Sequence, residues 1–136
     1  MKQEKNKNMI LVSVTKQSNY PINTSEVKRY LATLLEQSGI VSNTKVSVAL
    51  IGEKEMLDLS KKYLKDNKVH NVLSFTYSEV ADKFTFPPDD SVHLGEIVVC
   101  YPRAKEEAEA EGKLVKEKIK ELVEHGALHL IGIHHD

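Results

Sequence analysis

The segment His125-Gly126-Ala127-Leu128-His129-Leu130-Ile131-Gly132-Ile133-His134-His135-Asp136 holds four of the chain's six histidines. Its spacing decides how the rest is read. His125 and His129 are four apart, which on a helix stacks one side chain above the other with Cβ atoms roughly 5–6 Å apart. Two imidazoles so placed can reach one metal ion at about 2.0–2.1 Å. Gly132 suits a left-handed turn that ends the helix and brings His135 back toward the pair, so that three nitrogens converge.

The helix itself is legible upstream. At a step of about 100° per residue from Val115, the residues Val115, Ile119, Leu122, Val123, Gly126 and Leu130 form one apolar stripe between about 340° and 80°. On the same scale His125 falls near 280° and His129 near 320°, on the shoulder of the stripe, where a cleft edge belongs. The spacing of His125, His129, Gly132 and His135 is that of the long zinc motif of the metzincin peptidases. Three histidine ligands leave a fourth position for water, which zinc acidifies to a pKa of about 7, as an open catalytic site requires. A bland alternative is that these are histidines at a helix C-terminus, where the dipole favours the cation by roughly 0.3–1 kcal/mol. It accounts for one histidine more readily than for three at this spacing.

Working back toward the N-terminus, Met9 to Thr15 reads as a strand. Asn23, with Glu26 three residues on, opens a helix that buries Tyr30, Leu31, Leu34 and Leu35 and closes at Gly39. Lys45 to Ile51 alternates as a strand, and Gly52 followed by Glu55 starts a second helix carrying Met56, Leu59 and Tyr63 inward. Val72 to Thr76 and Leu94 to Cys100 are further strands, separated by a polar loop in which Phe84, Phe86, Pro87 and Pro88 suggest a packed excursion. Pro102 suits the first turn of a third helix, and Glu111-Gly112 interrupts it before the last helix from about Lys113.

A chain of 136 residues, 40% hydrophobic and 29% charged, fits one domain over residues 9–136 behind a flexible basic start, residues 1–8. Nineteen Lys and Arg against twenty Asp and Glu leave a net charge of −1, so any anionic partner must be held by a local patch. A single cysteine, Cys100, excludes an intrachain disulfide and a thiolate metal cluster, and a cytoplasmic location is the default. No apolar run approaches the ~18 residues of a membrane span, and the one after MKQEKNKN breaks at Ser13, short of a secretion signal. Cys100, in an apolar strand, is expected to be buried and no ligand.

Beyond these readings the sequence resembles a known family, the YbeY family of bacterial metal-dependent endoribonucleases and rRNA maturation factors, whose hallmark is HGxLHLxGYDH where this chain has HGALHLIGIHH. Val72-Leu73-Ser74-Phe75 matches its TDVLSF strand and Leu94-Gly95-Glu96-Ile97 its LGDI strand, in the right order. The resemblance implies a small mixed, mostly parallel sheet flanked by helices, with a C-terminal histidine-bearing zinc helix. It also implies one zinc ion on His125, His129 and His135, single-stranded RNA as substrate, and a role in rRNA maturation and ribosome quality control with rRNA and the small ribosomal subunit as partners.

The chain departs from that family in places. The Tyr-Arg pair of the second helix is Tyr63-Leu64, so an arginine is missing unless Lys62 or Lys65 substitutes, and an ammonium lacks the planar fork of a guanidinium. Reduced activity is the expected consequence. Thr-Asp before VLSF is His70-Asn71, and Tyr-Asp before the last ligand is Ile133-His134. His134 could compete with His135 for the metal or act as a base beside the bound water, which makes His134 and Lys65 the candidate catalytic groups. Lone histidines such as His70 and His93 more often serve as polar residues at strand edges. Lys61, Lys62, Lys65 and Lys68 form a run that could cradle phosphates or be a solvated helix face.

Two other functions stay open. One is a ribosome-bound RNA-binding module that keeps a structural zinc without turnover. The other is a zinc peptidase, which needs a general-base Glu directly after the first histidine, where this chain has Gly126.

Overall fold

The computed structural model describes residues 9–40, 42–77 and 92–132. Residues 1–8, the excursion around Phe84–Pro88, and His134 and His135 lie outside the described residues. The chain runs β1 (Ile10–Lys16), α1 (Thr24–Gln37), β2 (Thr44–Ile51), α2 (Glu53–Leu59), a single wide π turn (Ser60–Leu64), β3 (Val72–Thr76), β4 (Val92–Cys100), α3 (Tyr101–Glu111) and α4 (Val115–Leu130).

Local chemistry places the helix ends. The Asn23 side chain accepts from the Glu26 N–H at 3.0 Å, which satisfies one of the orphan donors of the first turn of α1. Pro102 sits in the first turn of α3, where its missing N–H costs nothing. Before α4 the Glu117 carboxylate reaches back to the Leu114 N–H at 3.2 Å, so the helix begins at Val115, two residues later than Lys113.

Four strands form one sheet in the order β1-β2-β4-β3. The pairs β1–β2 and β2–β4 are parallel, and β3 runs antiparallel to β4, giving the mixed, mostly parallel sheet that the sequence led us to expect. Register is set by Ile10 opposite Thr44, Val48 opposite Ile97, and Phe75 opposite Glu96. Gly95 makes the last pairing possible: at φ +144° a Cβ there would lie 2.0 Å from the Phe75 carbonyl oxygen, so no side chain fits.

Alternation along the strands divides the core in two. Val46, Val48, Leu50, Ile97 and Val99 point to the face covered by Val27, Leu31 and Leu35 of α1 and by Ile119, Leu122, Val123 and Ala127 of α4. Ile51, Val98, Cys100 and Phe75 point the other way and are covered by Met56, with Leu59 and Tyr63 packed beside it. Among the described residues no helix is long and apolar enough to cross a membrane.

The second helix departs from a regular reading. It widens after Leu59, and the chain leaves the turn at Lys65 in the left-handed conformation, φ 58°. Widening turns Tyr63 onto Phe75, ring centroids 4.9 Å apart, and leaves Leu64 exposed at 43%. A period of 3.6 carries no mark of such a turn.

Candidate functional site

The last two turns of α4 carry His125 and His129, both exposed. Their rings lie one above the other with centroids 4.6 Å apart and planes tilted by 46°. The stripe that buries Ile119, Leu122, Val123 and Gly126 against the sheet rolls the two imidazoles to its shoulder. Gly132 then adopts φ +81°, the left-handed turn that a reversal of the chain requires. His135, the third expected ligand, and His134 lie outside the described residues, and among the described residues no three His, Cys, Asp or Glu side chains gather closely enough to hold a metal.

A cleft of about 490 Å³ opens between α4 and the start of β3, lined by Asn71, Val72, Lys118, Glu121, Leu122 and His125 among others. Its floor is an ionic network. Lys118 is 5% exposed, with Nζ 3.0 Å from Glu111, 3.4 Å from Glu121 and 3.5 Å from Glu107. Burial alone would push this ammonium's pKa down, but the carboxylates outweigh it and hold the pKa above its usual value. Asn71 Nδ2 donates to both oxygens of Glu107, at 3.1 and 3.3 Å. At the edge of the same cleft, which Glu124 also lines, the Tyr30 hydroxyl donates to Glu124 at 2.6 Å, and Glu26 pairs with Lys120 at 3.0 Å and Lys116 at 3.7 Å. These contacts fix α4 against α1.

Neither Lys118 nor Asn71 stood out as functional in the sequence. The signal for Lys118 was present, because at about 100° per residue it falls near 300°, between the two histidines on the same shoulder. For Asn71 the sequence offered only that it stands where the resembled family has Asp, because its partner Glu107 comes from another element.

The lysine run is placed differently. Lys61, Lys62, Lys65 and Lys68 are all exposed, on a segment whose Tyr63 packs with Met56 and Phe75 on the face of the sheet opposite α4. Lys62 lies over the Tyr63 ring, 5.5 Å from its centroid. From Lys65 a short loop leads to Asn71, on the wall of the cleft. His70 meets Asp66 in that loop at 3.1 Å, and His93 stacks on Tyr77 at 5.0 Å. Glu96 is partly buried, which raises its pKa above the ordinary carboxylate value. Cys100 is fully buried, as expected, and burial likewise raises its thiol pKa.

Gly126 decides one chemical question. A Cβ there would lie 2.8 Å from Ile97 Cγ2 and 3.2 Å from Ile97 Cγ1, so the glycine is what lets α4 lie down on β4. The glutamate that a zinc peptidase carries at this position has no room.

What these elements define is a mixed α/β protein with paired imidazoles at the end of its last helix, beside a polar cleft. Comparison with known proteins gives the class a family. The model of the family described as endoribonuclease YbeY matches residues 12–136, and the chain belongs to that family. It is 33% identical over 121 residues to the endoribonuclease YbeY of Dehalococcoides mccartyi strain 195, covering 84% of this chain and 70% of that protein. It is also 36% identical over 110 residues to that of Macrococcus caseolyticus, covering 81% and 71%. Among solved structures, the solution structure of TM1509 from Thermotoga maritima superposes with a TM-score of 0.59 at 22% identity, over 90% of this chain and 73% of that one, which supports the fold.

Proposed function

We propose that the protein is a zinc-dependent, single-strand-specific endoribonuclease of the cytoplasm that acts on rRNA during maturation and quality control of the small ribosomal subunit. The observation that carries this reading is the pair of imidazoles one helical turn apart beside the cleft, in a chain of the YbeY family. Residues 9–136 act in it as one metal-hydrolase-like domain.

His125 and His129 fit a zinc ion as neutral nitrogen donors on one face of a helix, and the partial negative charge at the C-terminus of α4 favours a cation there. His135 completes the set of one zinc per chain. When bound, the metal supplies a water acidic enough to ionise near neutral pH and a charge to set against the phosphodiester.

The chain's own residues do the rest. Lys61, Lys62, Lys65 and Lys68 attract the backbone of a single strand, whose path from them to the histidines leads around the β3 edge by way of the loop that ends at Asn71. The clamped floor of Lys118, Glu107 and Glu121 keeps the cleft's shape while the strand moves. His134, or Lys65 on the loop side, is the candidate to hold a proton at the cleavage site. With Leu64 at a position that could carry an arginine, turnover is slow.

The purified full chain tests this. Wild type should hold one zinc and cut single-stranded RNA, and His129→Ala should lose both with its circular dichroism unchanged. Full zinc content in that variant sinks the ligand assignment. Removing Lys62 and Lys65 together should flatten the salt dependence of RNA binding by about 1.4. Leu64→Arg should raise cleavage more than binding, because a bidentate contact to developing phosphate charge acts mainly in the transition state. Salt-dependent binding without cleavage in both wild type and Leu64→Arg would mark an RNA-binding module instead.

A further inference from the structure

Asn71 stands at the entry to β3, on the cleft wall across from α4. Its side chain is held in one orientation. A carboxylate only accepts hydrogen bonds, so the amide nitrogen must be the end that faces Glu107, and it meets both carboxylate oxygens. Glu107 is in turn fixed by Lys118, and the Asn71 backbone carbonyl accepts from the Cys100 N–H at 2.9 Å. With the amide nitrogen and the backbone carbonyl committed, Oδ1 has no hydrogen-bond partner among the described residues. It is not sealed off either, since no polar side-chain atom among the described residues is both buried and unpartnered.

The cleft around it is poor in donors. Lys118 is committed to three glutamates, Glu121 is held by Lys118 and Lys113, and Glu124 accepts from Tyr30, which leaves the His125 ring and Asn71 as the polar groups on the lining that a ligand meets. Asn71 Oδ1 is an acceptor there, so a ligand hydroxyl or amine is what it would bind. At about 490 Å³ the cleft is within the range of small-ligand sites, large enough for one nucleoside.

We propose that Asn71 Oδ1 accepts a hydrogen bond from the ribose 2′-hydroxyl of a nucleotide seated in this cleft, so that the cleft selects ribose over deoxyribose. This rests on the reading of the protein as an RNA-binding nuclease. The sugar is favoured over the base because the cleft adjoins His125, where the phosphodiester would sit, and the 2′-hydroxyl is the donor nearest to a phosphate along the strand. The same hydroxyl is what distinguishes RNA from DNA at a given site.

The test is equilibrium binding of fluorescent single strands to the full chain as purified, its metal left in place, with phosphorothioate linkages throughout so that the strands resist cleavage. The strands are ribo- and deoxyribo-oligonucleotides of equal length, in uracil-rich and adenine-rich versions. Wild type should prefer the ribo form by about fivefold, the worth of one net hydrogen bond. Asn71→Leu, and Asn71→Ala should the first not fold, should bring the ratio near one by weakening the ribo form alone. Exchanging donor and acceptor in the pair, Asn71→Asp with Glu107→Gln, should restore it, whereas Glu107→Gln alone, which keeps the Asn71 acceptor, should leave the ribo preference in place. A preference lost in Glu107→Gln as fully as in Asn71→Leu would show that only the pair's structural bond matters and overturn the assignment. A ribo preference that survives Asn71→Leu and Asn71→Ala overturns the assignment of Asn71 while leaving the nuclease reading intact. An effect that follows adenine against uracil regardless of sugar overturns it in favour of a base contact. Failure of wild type to bind any RNA removes the functional reading and this inference with it.

Discussion

Gly126 and Lys65 each meet a backbone constraint of their own. Gly126 has Ile97 Cγ2 2.8 Å from where a Cβ would stand, and Ile97 is a fully buried β-branched side chain with no room to turn. Gly126→Ala should therefore destabilise the fold by about 1–2 kcal/mol, overpacking outweighing the ~1 kcal/mol that alanine gains in a helix. Urea denaturation checks this, and a Gly126→Ala variant more stable than wild type would show that α4 can lift off β4 at no cost. Lys65 presents the opposite case, a lysine held at φ 58°, where glycine is at ease. Lys65→Gly should raise stability by about 0.5 kcal/mol, strain relief exceeding the added entropy of the unfolded chain. The same variant should lower the salt slope of RNA binding by about 0.7, so that a single substitution separates the demands of folding from those of binding.

Among the helices, the contact between α1 and α4 sets how the histidine pair is presented. Tyr30 donates to Glu124, the residue just before His125, and its pKa is raised to about 12, first by this hydrogen bond and then by burial. A group whose folded pKa exceeds its unfolded value of 10.0 stabilises the fold fully below that value and loses the contribution as pH climbs through the folded one. Thermal stability should thus fall between pH 10 and about 12, and Tyr30→Phe should remove that part of the alkaline loss while lowering stability at neutral pH by about 1 kcal/mol. An unchanged alkaline limb in Tyr30→Phe would mean that the bond does not form in solution. At the acid end Glu26, Glu111 and Glu121 have pKa values lowered, first in each case by a hydrogen bond from a lysine. Their contribution is present above the ordinary carboxylate range and disappears as pH falls through their lowered values.

At the scale of the whole molecule, Cys100 reports on the integrity of the sheet. It is fully exposed only when β4 leaves both β2 and the α2 layer, because in the fold its accessibility is 0%. Thiol reagents should label it at the rate of global unfolding, and burial, which raises its pKa, slows attack further by keeping the thiolate scarce. Labelling at the rate of a free thiol in a protein with native circular dichroism would place β4 at a frayed edge. Cys100→Ser, if folded, should leave the proposed zinc binding unchanged, since the cysteine packs with Met56 of α2 while α4, which carries His125 and His129, covers the other face of the sheet.

What the sequence determined by itself is whatever depends on neighbours within about a turn or a strand. Asn23 three residues before Glu26, the alternation from Lys45 to Ile51, Pro102 at a helix start and the i, i+4 pair His125 and His129 all carry their own geometry, because side-chain direction follows the backbone period. Tertiary structure alone decided the strand order β1-β2-β4-β3, the division of the core into two layers, and the arrangement that sets the lysine run and the histidine pair on opposite faces of the sheet. It also decided that Lys118 is buried among three glutamates and that Asn71, on the wall of the cleft that His125 also lines, is clamped to Glu107. Such facts join residues that no period connects: the free energy of an ion pair or a clamped amide depends on which distant groups the packing brings within hydrogen-bond reach, and the chain acquires those neighbours only once it is folded.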